Sequence, residues 1–318
     1  MTTQTQYDVI VIGGGAAGLS GAQALLRSRR SVLVIDDGTP RNAPADGVHN
    51  FLTRDGVPPA ELYAIGRKEM QGYGGEFVDG TVTTARRGDD GGFTVEADGT
   101  AYRSRRLLIT TGLTDVLPDV SGLAERWGKD VVHCPYCHGW EVQGQAIGVL
   151  ASSPMAMHQV QLFRQLSDDV TLFLHTAPEP TEEQWEELAA RGIAVVQGKV
   201  EQVEVTDGKI TGVRLEGGQV VPRQALAVQT TVRARAGFLA DLGLEPAVVE
   251  SNGVEVGTAI QVDAMGATAV PGVFAAGNVS NPMAQVMPSA AAGLMAGAGI
   301  NFDLINEETR LAVAARSS

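Results

Sequence analysis

The spacing of apolar and polar positions changes period along the chain, and the changes mark out elements. Asp8-Val9-Ile10-Val11-Ile12 is an apolar run that breaks into Gly13-Gly14-Gly15. A strand apolar on both faces suits a parallel sheet covered by helices on both sides. Ala16 to Ser28, rich in Ala and Leu, predicts a helix, and Ser31 to Ile35 predicts a second strand ending at Asp36 and Asp37. Residues 38–60, with many Gly, Pro and Asn, read as a long functional loop before a helix at 61–71. From 76 to 109 the alternation predicts antiparallel strands at Glu76–Thr84, Phe93–Ala97 and Ala101–Ser104. Arg106 to Thr111 then returns as a separate apolar strand ending at Gly112. After a linker at Pro118–Gly122 a second strand–helix–strand unit is predicted, at Ala146–Leu150, Met155–Leu166 and Val170–His175. A polar helix at 181–191, a β-rich section at 194–215, short strands within 245–277 and a small-residue helix at 284–305 complete the pattern.

The fold class that follows is α/β, with two Rossmann-like dinucleotide-binding domains. The first is split: residues 1–115 begin it, 116–242 form the second domain, and 243–318 return to finish the first. A length of 318 residues allows each domain its own core. The formal net charge of −13 argues against nucleic-acid and anionic-membrane partners, since no surplus of Lys or Arg exists to displace phosphate counterions. Two cysteines cannot build a disulfide scaffold at this length, and Met1 to Asp8 lacks the regions of a signal peptide. The expectation is a soluble cytoplasmic protein.

Gly13-Gly14-Gly15-Ala16-Ala17-Gly18 has the G-x-G-x-x-G spacing. Gly13 would make the tight turn, Gly15 would let a pyrophosphate approach the backbone, and Gly18 would let helix and strand pack closely. The motif follows a strand and opens a helix, and Asp36 at the end of the next strand suits a ribose diol. At the far end, Pro271-Gly272-Val273-Phe274-Ala275-Ala276-Gly277-Asn278 and the helix after it resemble the second flavin motif of flavoproteins with two dinucleotide folds. Ile109-Thr110-Thr111-Gly112 resembles the strand end that closes their first flavin segment. The three in this order point to FAD rather than NAD. The resemblance assigns the cofactor to Gly13, Gly15, Ala16, Ala17, Gly18, Asp36, Asp37, Arg41, Asn50, Val82, Thr111, Gly112, Gly277, Asn278, Gln285 and Val286. Asn278 stands where the pattern has Asp, which costs a hydrogen bond to the ribityl chain its charge assistance, about 1 kcal/mol. The uncharged run Met283 to Ile300 carries Gly293-x-x-x-Gly297, a membrane-helix spacing, but its Gly and Ala make it weakly hydrophobic and no membrane span is expected.

Both cysteines lie in His133-Cys134-Pro135-Tyr136-Cys137-His138. C-x-x-C places two sulfurs within bonding reach on a tight turn, which suits reversible disulfide exchange. Zinc competes for such a string, but ligands this close in sequence wrap a tetrahedron poorly and no second Cys/His pair occurs, so no metal is expected. The thiolate is the nucleophile, so an adjacent imidazole can take or return its proton. His138 is the first choice for this acid/base and His133 the second.

With the flavin motifs, the antiparallel insert and this C-x-x-C in place, essentially the whole chain resembles the low-molecular-weight thioredoxin reductases. That resemblance implies class II pyridine nucleotide-disulfide oxidoreductase architecture and a homodimer with FAD held by the first and last segments. It also implies Cys137 facing the flavin and Cys134 exchanging with substrate. The family has an acid after its second cysteine where His138 stands. Its NADPH motif is replaced by Ala151-Ser152-Ser153-Pro154, and its basic cluster by His175-Thr176-Ala177. A proline there removes a backbone donor, and each added Cβ obstructs a pyrophosphate. The Cys-x-x-Cys-His-Gly string resembles the branch of dithiol oxidases that includes the gliotoxin and holomycin enzymes. The function this implies is oxidation of a small-molecule dithiol to a disulfide, electrons passing to FAD and then to molecular oxygen to give hydrogen peroxide. The alternatives are a thioredoxin reductase-like enzyme fed by NADPH or another donor, and a flavin-binding redox sensor.

Overall fold

In the computed structural model, which describes residues 6–316, β1 (Gln6–Ile12) lies at the middle of the first sheet. Its apolar run explains the place: Val9, Ile10 and Val11 are fully buried, with core on both faces. The chain crosses through α1 (Ala16–Arg27) to β2 (Val32–Asp36), parallel to β1, and through α2 (Pro59–Gly72) to β3 (Glu76–Asp79), parallel to β2. β4 (Val82–Arg87), β5 (Phe93–Ala97) and β6 (Thr100–Ile109) follow as an antiparallel meander, and the sheet order is β3-β2-β1-β6-β5-β4.

Two predicted strands are corrected here. Glu76–Thr84 breaks at Gly80, whose N–H donates to the Asp36 carbonyl, so that its first half joins the parallel sheet and only the second half is antiparallel. Conversely, Ala101–Ser104 and Arg106–Thr111 are one continuous strand, β6. It pairs with β5 through Ser104 and with β1 through Ile109. The polar pair Arg105-Arg106 looks like a break in sequence, but both guanidiniums reach across to carboxylates of the last helix.

β7 (Leu113–Val116) leaves the first domain, and β8 (Val131–Val132) and the short α3 (Pro135–His138) follow. β9 (Ile147–Leu150), α4 (Ala156–Phe163), β10 (Val170–Phe173), α5 (Glu182–Ala190) and β11 (Ala194–Val196) form the second unit. The polar helix α5 starts at a capping box in which Thr181 and Gln184 satisfy each other's backbone. β12 (Val200–Thr206), β13 (Lys209–Leu215) and β14 (Val220–Val221) make a separate antiparallel sheet, and β15 (Ala225–Val228) completes a parallel sheet of order β11-β10-β9-β15-β8. β16 (Thr231–Ala234) returns beside β7, and β17 (Ala247–Ser251) and β18 (Val254–Ala259) extend that small junction sheet.

β19 (Val273–Ala275) then pairs parallel to β6, and α6 (Val286–Arg316) runs well beyond its predicted end at 305. The Gly293-x-x-x-Gly297 spacing is a contact with α1. A Cβ on Gly293 would stand 1.9 Å from the Ala17 carbonyl oxygen, and one on Gly297 would stand 2.7 Å from that of Gly21. Arg30, Arg105 and Arg106 hold the far half of α6 through Asp303, Glu307 and Glu308. Among the described residues no helix is long and apolar enough to cross a membrane.

The α1–α6 contact generates a prediction. Gly293→Ala overpacks it and should lower unfolding stability by about 1–3 kcal/mol or more. The exposed Ala298→Ser, on the same helix, should change it little. Thermal melts of the flavin-loaded proteins check this, and equal melting temperatures for Gly293→Ala and wild type would contradict the packing argument.

Candidate active site

A cavity of ≈ 1250 Å³ runs from the glycine turn before α1 to the C-x-x-C turn and the facing side of α4. The glycines divide the work as their spacing suggests. Gly13 has φ +108° and sits against the Thr110 carbonyl, where a Cβ would come within 2.5 Å. Gly18 packs under the turn, its Cβ position 1.9 Å from the Gly13 carbonyl oxygen, and so lies outside the lining. A Cβ on Gly15 would meet nothing within 4 Å, so this backbone faces open cavity at the N-terminus of α1. Amide groups and dipole there favour a diphosphate. Asp36 accepts the Gly14 N–H at 2.7 Å and fixes the turn from the end of β2. Asp37 is held by Arg235 and Thr39. These features fit FAD.

The remaining residues assigned to the cofactor line this cavity, with one exception. Ala16, Ala17, Arg41, Val82, Thr111, Gly112, Gly277, Asn278, Gln285 and Val286 all line the cavity. Asn50 does not. Its Nδ2 donates to the Tyr136 carbonyl at 2.7 Å, and the neighbouring His49 Nε2 lies 3.2 Å from Glu141 Oε1. The long loop, read from its composition as functional, is therefore a clasp on the C-x-x-C turn, where the resemblance assigned Asn50 to the cofactor. Arg41 forms a two-pronged ion pair with Asp115, Nε to Oδ2 at 2.7 Å and Nη2 to Oδ1 at 2.6 Å. Burial raises the Asp115 carboxyl, but the Arg41 guanidinium and the Thr230 hydroxyl together outweigh it and hold the group below its ordinary range. Asn278 spends its amide on the chain: Nδ2 donates to Ala284 O at 2.7 Å and Asn281 O at 3.1 Å. An aspartate cannot make those donations.

Cys134 and Cys137 line the same cavity with their sulfurs 2.6 Å apart. The Cys137 thiol donating to its sulfur, together with the N–H groups of Tyr136 and Cys137, holds Cys134 well below an ordinary thiol, against the opposing effect of burial. Cys137 is pushed up, first by Cys134 and then by burial. Gln285 Nε2 lies 3.9 Å from the Cys134 sulfur. Both candidate histidines line the cavity, and burial lowers both, so each is neutral at pH 7. His133 Nδ1 is 3.1 Å from the Val228 carbonyl. A carbonyl only accepts, so Nδ1 carries the proton and Nε2 is left as an acceptor. Trp127 packs its ring 6.4 Å from that imidazole.

A second, smaller cavity of ≈ 360 Å³ lies at the carboxyl ends of β9, β10 and β15, where a nucleotide would bind the second domain. Of its basic side chains, Lys199 is paired with Glu216 at 3.0 Å and His175 accepts the Val200 N–H at 3.0 Å; Asp119 and Glu255 also line it.

Several lining residues escaped the sequence reading. Thr110, whose hydroxyl donates to the Gly13 carbonyl at 2.8 Å, was visible only as part of a strand end. Arg235 alternates with Arg233, a spacing that fits a solvated edge or a contact with the flavin region, and the fold brings it to Asp37. Met155, His158, Gln159 and Leu162 share the spacing of one helix face, a detectable signal, but nothing in sequence says what that face meets.

The family model of the pyridine nucleotide-disulphide oxidoreductases matches residues 7–297. Thioredoxin reductase tcpT of Claviceps purpurea is 34% identical across 97% of this chain and 99% of its own length. The crystal structure of HlmI superposes with a TM-score of 0.90 at 43% identity, covering 100% of this chain and 98% of that one. An oxidoreductase from Agrobacterium tumefaciens does so with a TM-score of 0.86 at 37% identity, over 94% and 99% of the two chains.

The cysteine electrostatics can be measured directly. In the reduced protein, the rate of Cys134 alkylation by iodoacetamide should rise with a midpoint below the ~8.5 of a free thiol. Cys137→Ala removes the thiol donor, so that midpoint should move up. A midpoint that stays put or falls in the variant would show that Cys137 is not the cause.

Proposed function

The chain belongs to the pyridine nucleotide-disulphide oxidoreductase family, and from that premise we propose that it is a dithiol oxidase acting on a small sulfur-containing natural product. It is an FAD-dependent thiol–disulfide oxidoreductase. The observation that carries the finer reading is that Cys134 and Cys137 line one cavity with the FAD cradle, while the nucleotide end of the second domain offers no free cationic clamp.

In this reading a substrate thiolate attacks the Cys134 sulfur of the oxidised pair, the Cys134–Cys137 bond breaks, and Cys137 leaves as a thiolate. The second substrate thiol then attacks the mixed disulfide and expels Cys134. The depressed Cys134 thiol favours that departure, because a lower-pKa sulfur leaves faster. Net, the dithiol becomes a disulfide, the cysteine pair gains two electrons, and two thiol protons are released. The Nε2 of His133, left open by its tautomer, can take one; His138, beside Cys137, is the other neutral base. FAD, which Gly13, Gly15, Asp36 and the segment from Gly277 to Val286 would hold in the same cavity, would supply an acceptor for the cysteine pair's two electrons and a route from there to molecular oxygen, with hydrogen peroxide as the product. Gln285 orients Cys134, and Arg41, ion-paired at the cavity wall, lends positive potential to both sulfurs.

Two further parts of the reading concern assembly and place. Exposed Met287, Leu294, Met295, Phe302 and Ile305 follow one side of α6, an apolar stripe that suits a homodimer. The polar, acidic surface suits the cytoplasm.

Two measurements test this. Under anaerobic conditions a small dithiol should bleach the flavin band, and NADPH should leave it unchanged. In air the same dithiol should drive oxygen uptake with one hydrogen peroxide per dithiol, and Cys134→Ser should abolish it. Rapid bleaching by NADPH would instead favour the reductase reading. For the assembly, Phe302→Asp should convert a dimer to a monomer by light scattering, and an unchanged mass would remove this stripe as the interface.

A further inference from the structure

The C-x-x-C turn sets two unlike sulfurs side by side in an open cavity. Cys134 and Cys137 are both part-exposed, line the same cavity and hold their sulfurs 2.6 Å apart. The groups around them treat the two differently. The Cys137 thiol and the N–H groups of Tyr136 and Cys137 all favour a thiolate at Cys134, while Cys137 is left as a protonated thiol. Gln285 Nε2 lies 3.9 Å from the Cys134 sulfur, and the Arg41 guanidinium lends both sulfurs positive potential.

A part-exposed thiolate with a protonated thiol in reach is the arrangement that reacts with peroxide and recovers, because the second sulfur closes a disulfide before further oxidation. We propose that the reduced C-x-x-C pair is also a peroxidase, reducing hydrogen peroxide at Cys134 with Cys137 as the resolving thiol. The Cys134 thiolate attacks one peroxide oxygen, the O–O bond breaks, and hydroxide leaves with that bond's electron pair, its departure favoured by the Arg41 potential. Cys134 is then a sulfenic acid. Cys137 attacks its sulfur, the S–S bond forms, the S–O bond breaks, and the hydroxyl leaves with the Cys137 proton as water. Net, one thiolate, one thiol and one hydrogen peroxide become one disulfide, one hydroxide and one water, the pair giving up two electrons. A dithiol can then reduce the pair again by exchange. The proposal rests on the dithiol oxidase reading only for the source of the peroxide. Product formed in this cavity would be consumed there, so the one-to-one yield of initial rates should fall as peroxide accumulates.

Following the thiols themselves tests this. The FAD-loaded protein is reduced with dithionite and desalted without oxygen, hydrogen peroxide is added in excess, and free thiols are trapped with N-ethylmaleimide for mass spectrometry. Both thiols should persist without peroxide. With it they should be lost together, as an intramolecular disulfide, at a rate that rises with pH along the Cys134 alkylation curve. In Cys134→Ser neither the Cys137 thiol nor the reduced flavin should react in that time. In Cys137→Ala, held above its own alkylation midpoint, dimedone should trap a sulfenic acid on Cys134. If a variant fails to fold, wild-type protein with Cys134 blocked by iodoacetamide replaces Cys134→Ser, and the pH profile of the wild type replaces the dimedone adduct. Thiols that outlast the peroxide in the wild type, a rate flat with pH, or no adduct in folded Cys137→Ala overturn the inference. A flavin band that returns as fast in Cys134→Ser also overturns it, by assigning the reaction to the flavin. Oxygen uptake with a small dithiol, measured separately, reports on the oxidase reading, so either can fail alone.

Discussion

The first turn of α1 tolerates almost nothing beside it, and that constraint organises the molecule. The Gly13 carbonyl is met by Gly18 and by the Thr110 hydroxyl, while Ala17 is met by Gly277 and Gly293. Four separate stretches of chain thus converge on one helical turn at backbone distance, and a side chain at any of those glycines would push them apart. A diphosphate site needs the helix terminus open on its ligand side and rigid on the other. The glycines supply the rigidity by letting backbone touch backbone, and Gly15 supplies the opening. The split domain follows: the last segment must return because it provides half of this packing.

The strand–turn–helix core and the two flavin segments were legible in sequence, because both signals are local. A β-branched run ending in glycines has few other homes, and Val273–Ala275 repeats the pattern of Val9–Ile12 on a smaller scale. What failed to show was pairing at a distance. The strand β6 crosses two charged residues without breaking because their partners lie some two hundred positions away, as with Arg105 and Glu307. Asn50 read as a loop residue over a cofactor, and its real partner, the Tyr136 carbonyl, is a backbone atom that no side-chain pattern announces. The cysteine pair was plain; the cavity wall facing it was not, since an amphipathic helix face has the same spacing whether it meets core or a cavity.

Asn278 shows how a departure from a pattern carries meaning only in its fold. As a flavin ligand it looked like a weakened aspartate. In place, its NH₂ group is the staple for the turn at 281–284, which sets Gln285 against the Cys134 sulfur. The loss of one charge-assisted bond, about 1 kcal/mol, is offset by donors that a carboxylate lacks and by the repulsion it would have suffered from those carbonyls. The cofactor side and the disulfide side of the cavity are coupled through this one residue.

The second domain keeps the parallel sheet of a nucleotide-binding unit but turns its first helix to another use. Pro154 and the side chains of Ser152 and Ser153 crowd the turn where a pyrophosphate would lie, and α4 begins only at Ala156. A helix that had to present its N-terminus to a cofactor would have its approach fixed by that contact. Freed of it, α4 can be placed by what its flank touches, and here the flank is tied through Gln159 to the backbone beside Cys134. The clasp from the first domain, Asn50 on Tyr136 and His49 beside Glu141, holds the same short turn from its other side. Between them the two contacts hold the C-x-x-C turn where Cys134 and Cys137 share a cavity with the flavin cradle. In the dithiol oxidase reading the electrons come from the substrate and no nicotinamide has to be admitted, so these contacts could stay made throughout the cycle.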